Sequence, residues 1–572
     1  MKRITFGTPE QFVPTKFCKK LNYSETELKY DVDSIKFVLT SRGCVVELPL
    51  MSDEAIFGFG LQLKGFNHIG TRLKLKSNSD PVANTGDSHA PVPFFVSSKG
   101  YGIYFDTARY AEVYAGCIKK KKRSTANNKD IVTDAEALYD KSENDEDMYM
   151  NITIPHSSGI DIYIFEGTNI SDVISQYNMF SGGGCKVPEW GLGVMYRAYA
   201  KSRRSDIEKL VDYFKDSRIP CDIIGLEPGW QTHSYSCSYV WDEDRLGDIK
   251  SMISYLKSNG YHVNLWEHGF VDLSSPIYDS LYDYSGDYEV WKGLVPDFSL
   301  KEVRNIFAEY HRENFVDIGI DGFKLDECDN SDFKPSAWSF PDSSHFPSGM
   351  DGEQYHQLFG VLYMQAIIEA LGNVGTLSEV RNAGALCASY PFVLYSDLYE
   401  HGDFVRGVVN SGFSGLLWTP EVRHAETKKE FIRRLQSNVF SVQCIINGWY
   451  CEEVPWKKLD CENEVRELLN LRKTLIPMLK EAFDEYQSTG KPPVRALVAD
   501  YTDDKETSMI DDEYIFCDRL IVAPITSESD ERMVYLPGGR WVDYFTKEPV
   551  SSGWFKVETN NIPVYEKIAE VV

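Results

Sequence analysis

Residues 319–332 read GIDGFKLDECDNSD, and the reading of this stretch decides the fold. Residues 320–325 form a short, largely apolar run, and three acids, Asp326, Glu327 and Asp329, stand where it ends. A parallel strand covered on both faces is nearly all apolar, so carboxylates at its carboxyl end call for a reason other than packing. Barrels of alternating strands and helices supply one, because their chemistry sits on the C-terminal ends of the strands. A solvated acidic loop is the plain alternative, and the flanking sequence decides between the two.

On both sides of this stretch, from Pro188 onward, helical and strand periods alternate. Ile207, Leu210, Val211 and Phe214 mark one apolar helix face, followed by a strand at 221–226. Ile249, Met252, Ile253 and Leu256 mark the next face, Gly260 ends it, and 261–266 is a strand. Val303, Ile306, Phe307 and Tyr310 precede 320–325, and Tyr355, Leu358, Phe359 and Leu362 precede a strand at 376–380. Adding 191–196, 392–395, 415–418 and 443–447 gives eight strands over about 260 residues, the size of a (β/α)8 TIM barrel. Asp326 then closes the fourth strand and Asp397 the sixth.

The flanks have a different rhythm. Residues 1 to about 180 carry short alternating runs at 35–39, 44–48 and 101–105, punctuated by Gly, Pro and Asn, which reads as a β-sandwich. A basic run at 119–123 followed by a polar, acidic run at 124–147 reads as an exposed hairpin tip or loop. After Pro477 the helical pattern fades, and strands at 495–498, 520–522, 533–535 and 541–544 read as a small C-terminal β-sandwich. The expected division is an N-terminal sandwich over 1–185, an α/β barrel over 186–480 and a C-terminal sandwich over 481–572.

Composition narrows the partners. A net charge of −26 on 572 residues, spread rather than blocked, argues against nucleic acid or an anionic membrane and suits a neutral ligand. Aromatic residues make up 13% of the chain, with 34 Tyr and 11 Trp, more flat faces with polar tips than a core needs; sugar rings stack on such faces. The N-terminus lacks an apolar signal core and no run of 18 apolar residues occurs, so neither membrane insertion nor export is expected. Twelve cysteines without CxxC pairs or His partners at metal-ligand spacing fit reduced thiols in a cytoplasmic protein, with no metal and no cofactor. The oligomeric state is left open.

Ordered short motifs then point to a family. FGFGL at 57–61, the barrel entry PEWGLGV at 188–194, IPCDIIGLEPGW at 219–230 and WKGLVPDF at 291–298 appear in sequence. EEVPW at 452–456, LIVAP at 520–524 and VYLPGGRWVD at 534–543 follow. Together they make the chain resemble glycoside hydrolase family 31, the retaining α-glycosidases, with the family's distal C-terminal sandwich missing. The resemblance lays the family's nucleophile motif on Asp321-Gly322-Phe323-Lys324-Leu325-Asp326-Glu327-Cys328, making Asp326 the nucleophile by position. The acid/base segment matches more loosely, Arg381 then Tyr395-Ser396-Asp397, with Asp403 and Glu400 as substitutes for Asp397.

The resemblance implies a double displacement, in which one carboxylate attacks the anomeric carbon while another carboxylic acid protonates the leaving oxygen. Asp326 would be ionised and Asp397 protonated, which requires environments that push their pKa values apart. Lys324, two residues before Asp326, shares its strand face and would keep the nucleophile anionic. Lys-x-Asp-x-Cys departs from the family's α-glucosidases and α-xylosidases and resembles the galactose-specific branch. Lys324, Cys328 and Trp418 would then give an axial O4 its donor, space and wall, and the reading leans to an exo-acting α-galactosidase. An α-glucosidase, α-xylosidase or α-N-acetylgalactosaminidase is the alternative.

Glu227 stands where the family clamps sugar hydroxyls on the second strand, Trp230 and Trp291 are candidate stacking walls, and Arg381 would brace Asp397. Asp87 and His89 lie in a loop expected to close over the site, while His268 is read as a satisfied rim or core residue. Other classes are a transglycosylase or lyase on the same scaffold, a non-catalytic sugar-binding relative, and a metal site on Asp326, Asp329 and Asp332. The last lacks the glycine turn and terminal Glu of a calcium loop.

Overall fold

The computed structural model describes residues 1–119, 148–331 and 339–568. Most of the run at 119–147 lies outside them, as does Asp332.

At the centre, seven strands form one parallel sheet. In chain order they are Val194–Arg197, Ile223–Leu226, His262–His268, Gly322–Asp326, Ser378–Val380, Phe392–Leu394 and Cys444–Asn447. The last pairs with the first, and the gap between Phe392–Leu394 and Cys444–Asn447 is spanned by single parallel bridges, Leu394 to Trp418 and Val422 to Ile446. The expected strand at 415–418 is thus reduced to bridges. Pro420 lies between them, and a residue without an N–H cannot continue a ladder.

Outer helices bury the predicted faces. Arg204–Ser217 turns Ile207, Val211 and Phe214 inward. Ile249–Ser258 starts at Asp248, whose side chain accepts from the Ser251 amide, and buries Ile249, Met252, Ile253 and Leu256.

Along the barrel axis the interior changes character. Met195, Ile223 and Ile445 form an apolar floor against Trp190. The layer above is ionic: Arg197 pairs with Glu227 and, at 2.7 Å, with Glu379, and donates to Asn264 at 2.8 Å. The sheet register sets Lys324 opposite Trp266 and Glu379, and Asp326 opposite His268, so the alternation of side chains delivers Lys324 and Asp326 to one face.

The N-terminal sandwich consists of two five-stranded antiparallel sheets around Val46, Leu48, Ile103, Val113, Ile152 and Ile162. After the barrel, a six-stranded and a two-stranded sheet enclose Ile515, Ile521, Val534, Leu536 and Trp541. Two expectations fail here. Pro477 does not end the helical region: it sits inside a 28-residue helix, Glu462–Thr489, that continues because Leu475, Ile476, Leu479, Phe483 and Tyr486 keep one buried face. The strand expected at 495–498 forms instead as Val494–Ala496, because the chain turns into Leu497–Asp500, where Asp500 accepts from the buried Arg495 guanidinium at 2.7 Å.

Candidate active site

Asp326 ends the fourth strand with its carboxylate at the barrel mouth. Oδ2 accepts from the Trp266 indole N–H at 2.7 Å, and Oδ1 accepts from the Glu327 amide at 2.9 Å and faces Arg381 Nη1 at 3.3 Å. Trp266 lies on the third strand, so the neighbouring strand orients the carboxylate before any ligand arrives.

Arg381 follows the fifth strand, is fully buried, and joins three acids. Its Nη1 also meets Asp397 Oδ2 at 2.5 Å, and its Nε lies 3.4 Å from Asp329 Oδ2. Because a single nitrogen touches both, the Asp326 and Asp397 oxygens are no more than about 6 Å apart, the range of a retaining carboxyl pair rather than an inverting one.

Asp397 takes a second guanidinium. Arg423 Nη1 donates to Asp397 Oδ1 at 2.7 Å and its Nη2 donates to the Asp397 carbonyl. Burial in this pocket alone would push the Asp397 carboxyl up, but Arg381, Arg423 and Lys324 outweigh it and hold the group well below the usual carboxylate range. Arg381 and Arg423 thus each hold one Asp397 carboxylate oxygen in the sugar-free pocket. The substitutes are engaged elsewhere. Asp403 pairs with Lys64 and Arg406, and Glu400 caps the helix His401–Ser411 by accepting from the Asp403 amide.

Lys324 lies in the ionic layer, 3.8 Å from Glu227 and 4.5 Å above the Tyr395 ring. Its charge acts on Asp397, Glu379 and Glu421. Glu379 is pushed up to about 7 by burial, against the pull of Arg197 and Lys324.

Several expected pocket residues are elsewhere. Trp230 is buried, donates its indole N–H to the Trp266 carbonyl at 2.6 Å and packs on Trp241 and Phe315; it supports the third strand and is no stacking wall. Trp418 is buried, donates to the Phe404 carbonyl at 3.0 Å and packs on that ring, so it does not wall an O4 pocket. The Cys328 thiol is buried against the carbonyls of Leu325 and Asn382 and opens no space. Asp87 stays within its own loop, accepting from Asn78 at 2.5 Å and from Thr85. Its neighbour His89 does reach the barrel: Nδ1 meets Asp329 Oδ2 at 2.8 Å and Nε2 meets Ser396 Oγ at 2.6 Å, joining the ends of the fourth and sixth strands.

Trp291 does stand at the mouth, edge-on to Tyr235, with Tyr235 also against Trp266. His268 is buried, its Nε2 at the Ser234 carbonyl, and burial pushes its pKa down to about 4. Sequence reasoning missed Trp266, Tyr235 and Arg423. Trp266 alone carried a signal, standing opposite Lys324 at the end of a strand.

A cavity of about 680 Å³ lined by Lys429, Arg433, Gln436 and Phe545 shares no residue with this cluster. Among the described residues no group of three or more His, Cys, Asp or Glu side chains could hold a metal ion.

Comparison with known proteins agrees with this geometry. Residues 185–482 match the model described as the glycosyl hydrolases family 31 TIM-barrel domain. Residues 490–572 match that family's C-terminal domain, and 18–113 its N-terminal galactose mutarotase-like domain. An α-xylosidase of Emericella nidulans is 22% identical over 536 residues, covering 88% of this chain and 64% of that protein. An α-glucosidase of Bacillus thermoamyloliquefaciens is 26% identical over 445 residues, covering 71% and 56%. A dextranase of Flavobacterium johnsoniae solved with glucose superposes with a TM-score of 0.78 at 22% identity, covering 94% of this chain and 68% of the other. The chain spans less than two thirds of the length of those two curated relatives.

Proposed function

The chain belongs to glycoside hydrolase family 31, and on that premise we propose that it is a retaining, exo-acting α-glycosidase with Asp326 as nucleophile. The observation that carries this is the single guanidinium nitrogen touching both Asp326 and Asp397, which sets two carboxyls at double-displacement spacing. Asp326, held by Trp266 and Arg381, attacks the anomeric carbon; Asp397 occupies the family's acid/base position. Glu227 and Lys324 line the layer below the reacting carbon, and Trp291 with Tyr235 flanks the mouth.

For the sugar, the α-glucoside and α-xyloside class is favoured over the α-galactoside. The relatives named above are an α-xylosidase and an α-glucosidase, and two of the three supports for an axial O4, Cys328 and Trp418, are buried away from the pocket. Lys324 is the one support that remains.

A panel of 4-nitrophenyl α-glycosides, with Asp326→Ala as control, tests the reading. Turnover of the glucoside or xyloside above the galactoside is expected, and the reverse order restores the galactose assignment. NMR of the first-formed sugar should show the α anomer; β as first product rules out retention. Products formed with and without an acceptor sugar separate hydrolysis from transglycosylation.

A further inference from the structure

We propose that His89, carried by the N-terminal sandwich, is a positioning residue for Asp397 and acts on it through Ser396, the residue before it. The inference rests on the retaining-glycosidase reading, in which Asp397 serves the leaving oxygen, and adds the part that keeps it in place.

Asp397 stands at the open mouth with 59% of its side chain exposed, so bonds rather than packing fix its direction. Two lines of contact reach it from the barrel, and both start at one buried oxygen. Asp329 Oδ2 lies 3.4 Å from Arg381 Nε, and the same guanidinium meets Asp397 Oδ2 through Nη1. Asp329 Oδ2 also meets His89 Nδ1 at 2.8 Å, and His89 Nε2 meets Ser396 Oγ at 2.6 Å. The first line holds the Asp397 carboxylate, and the second holds the backbone that bears it.

The direction of the second line follows from what each atom can do. A carboxylate only accepts, so Nδ1 carries a proton and donates it to Asp329. In the neutral ring Nε2 is then the acceptor for the Ser396 hydroxyl, whose oxygen takes the Leu398 amide at 3.0 Å. Ser396 thereby ties the amide on the far side of Asp397 to the imidazole. Asp, His and Ser in this order also make an activated nucleophile, but the Ser396 side chain is fully buried and no substrate reaches it.

His89 is itself held before any sugar arrives. Its loop is closed by the Asn78 amide on the Ser88 carbonyl at 2.8 Å, and it docks on the loop after the fourth strand, where the Ser79 amide donates to the Asn330 carbonyl at 2.7 Å. Ser331 Oγ donates to Asp80 at 2.7 Å, and the side-chain amide of Asn382, next to Arg381, donates to Ser77 Oγ at 2.9 Å. Supports fixed by hydrogen bonds of their own are what hold a reacting group in productive geometry, and a misplacement of about 1 Å costs on the order of 10²-fold in rate.

The test uses the full chain and two glycosides of whichever sugar the wild type cleaves: the 4-nitrophenyl glycoside, whose leaving group departs without a proton, and the methyl glycoside, whose leaving group needs one. Asp397→Asn sets the scale, with an expected loss in kcat/KM of about 10²- to 10⁴-fold on the methyl glycoside and far less on the nitrophenyl one. Without that bias in D397N the role of Asp397 fails, and that of His89 with it. Ser396→Ala removes the hydroxyl alone, while His89→Asn keeps a donor toward Asp329 and withdraws the ring nitrogen from Ser396. Each should lose about 10- to 100-fold on the methyl glycoside and at most a few-fold on the nitrophenyl one. The double variant should lose no more than S396A, since both changes cut one chain of bonds. A tie that merely fastens sandwich to barrel would lower the melting temperature and slow both substrates alike. Equal losses on the two glycosides, losses that multiply in the double variant, or an S396A enzyme with undiminished turnover of the methyl glycoside overturns the assignment. If H89N melts early, S396A decides alone, because exchanging a hydroxyl for a hydrogen leaves the packing in place. A wild type inactive on every glycoside overturns the glycosidase reading itself and this assignment with it.

Discussion

The fourth barrel strand has an aspartate at each end, and the two could hardly be treated more differently. Asp321, before its first residue, is nearly enclosed and fully paired. Lys257 Nζ meets both carboxylate oxygens at 2.6 Å, the Val263 amide donates at 2.9 Å and His262 stands at 3.0 Å. Asp326, at its last residue, receives one indole N–H, one amide and a guanidinium shared with two other acids. Burial is similar at both ends, 8% and 6% exposed, so burial does not separate a structural carboxylate from a reactive one. The surroundings do: at the bottom cations saturate one acid, and at the top acids outnumber the cations.

The largest effect expected from this contrast is on turnover. Asp326→Ala should abolish it, by on the order of 10⁴-fold or more, as removal of a covalent nucleophile does. Asp321→Asn should leave kcat within a few-fold, and a comparable collapse there would erase the distinction between the two ends.

Stability should show the opposite order. Asp321→Asn should lower the unfolding free energy by about 2–3 kcal/mol, less than a fully buried pair because Lys257 is a third exposed. Burial alone would raise the Asp321 carboxyl, but His262, Lys257 and the Val263 amide hold it below its usual value. A group depressed on folding stabilises above its unfolded pKa, near 4, and loses that contribution as pH falls through the lower folded value. Urea unfolding from about pH 7 to about pH 3 should therefore show a flatter acid-side decline in D321N than in the wild type. An unchanged slope would mean the clamp is not electrostatic.

Trp266→Phe removes the N–H aimed at Asp326 and keeps the ring. A hydrogen bond to a charged group contributes about 1.5–3 kcal/mol, so kcat should fall roughly 10- to 100-fold with the thermal midpoint little changed. Smallest of all, Trp418→Phe should cost about 1 kcal/mol of stability for the lost bond to the Phe404 carbonyl and leave the preference among sugars as it was. A switch in preference on the nitrophenyl panel would return Trp418 to the pocket.

How much of this was legible in the sequence follows from the range of each signal. Apolar spacing is local and periodic, so the helix faces at Ile207–Phe214 and Ile249–Leu256 and seven of the eight barrel strands could be read directly. Asp326 could be placed because a strand's end is itself a local feature. What failed was the direction of single large side chains. Trp230 and Trp418 sit near the ends of barrel strands, as a wall would, yet an indole with one N–H turns toward whichever carbonyl it can reach, and both found one in the core. The pairing of Asp397 with a second arginine was hidden for a related reason. Arg423 lies 26 residues further on, and no spacing rule links it to the sixth strand. Pro477 was misread because packing along one face of Glu462–Thr489 outweighed a local helix breaker.

His89 belongs to the N-terminal sandwich, yet its imidazole is wedged between Asp329 and Ser396 of the barrel. The barrel therefore does not own the whole of its rim. Excised on its own, it would lose the strut that spaces its fourth and sixth strands, and grafting it onto a foreign partner would succeed only if the loop bearing that histidine travelled with it. In this protein the rim of the barrel is completed by the sandwich, through this imidazole and through Lys64 on Asp403.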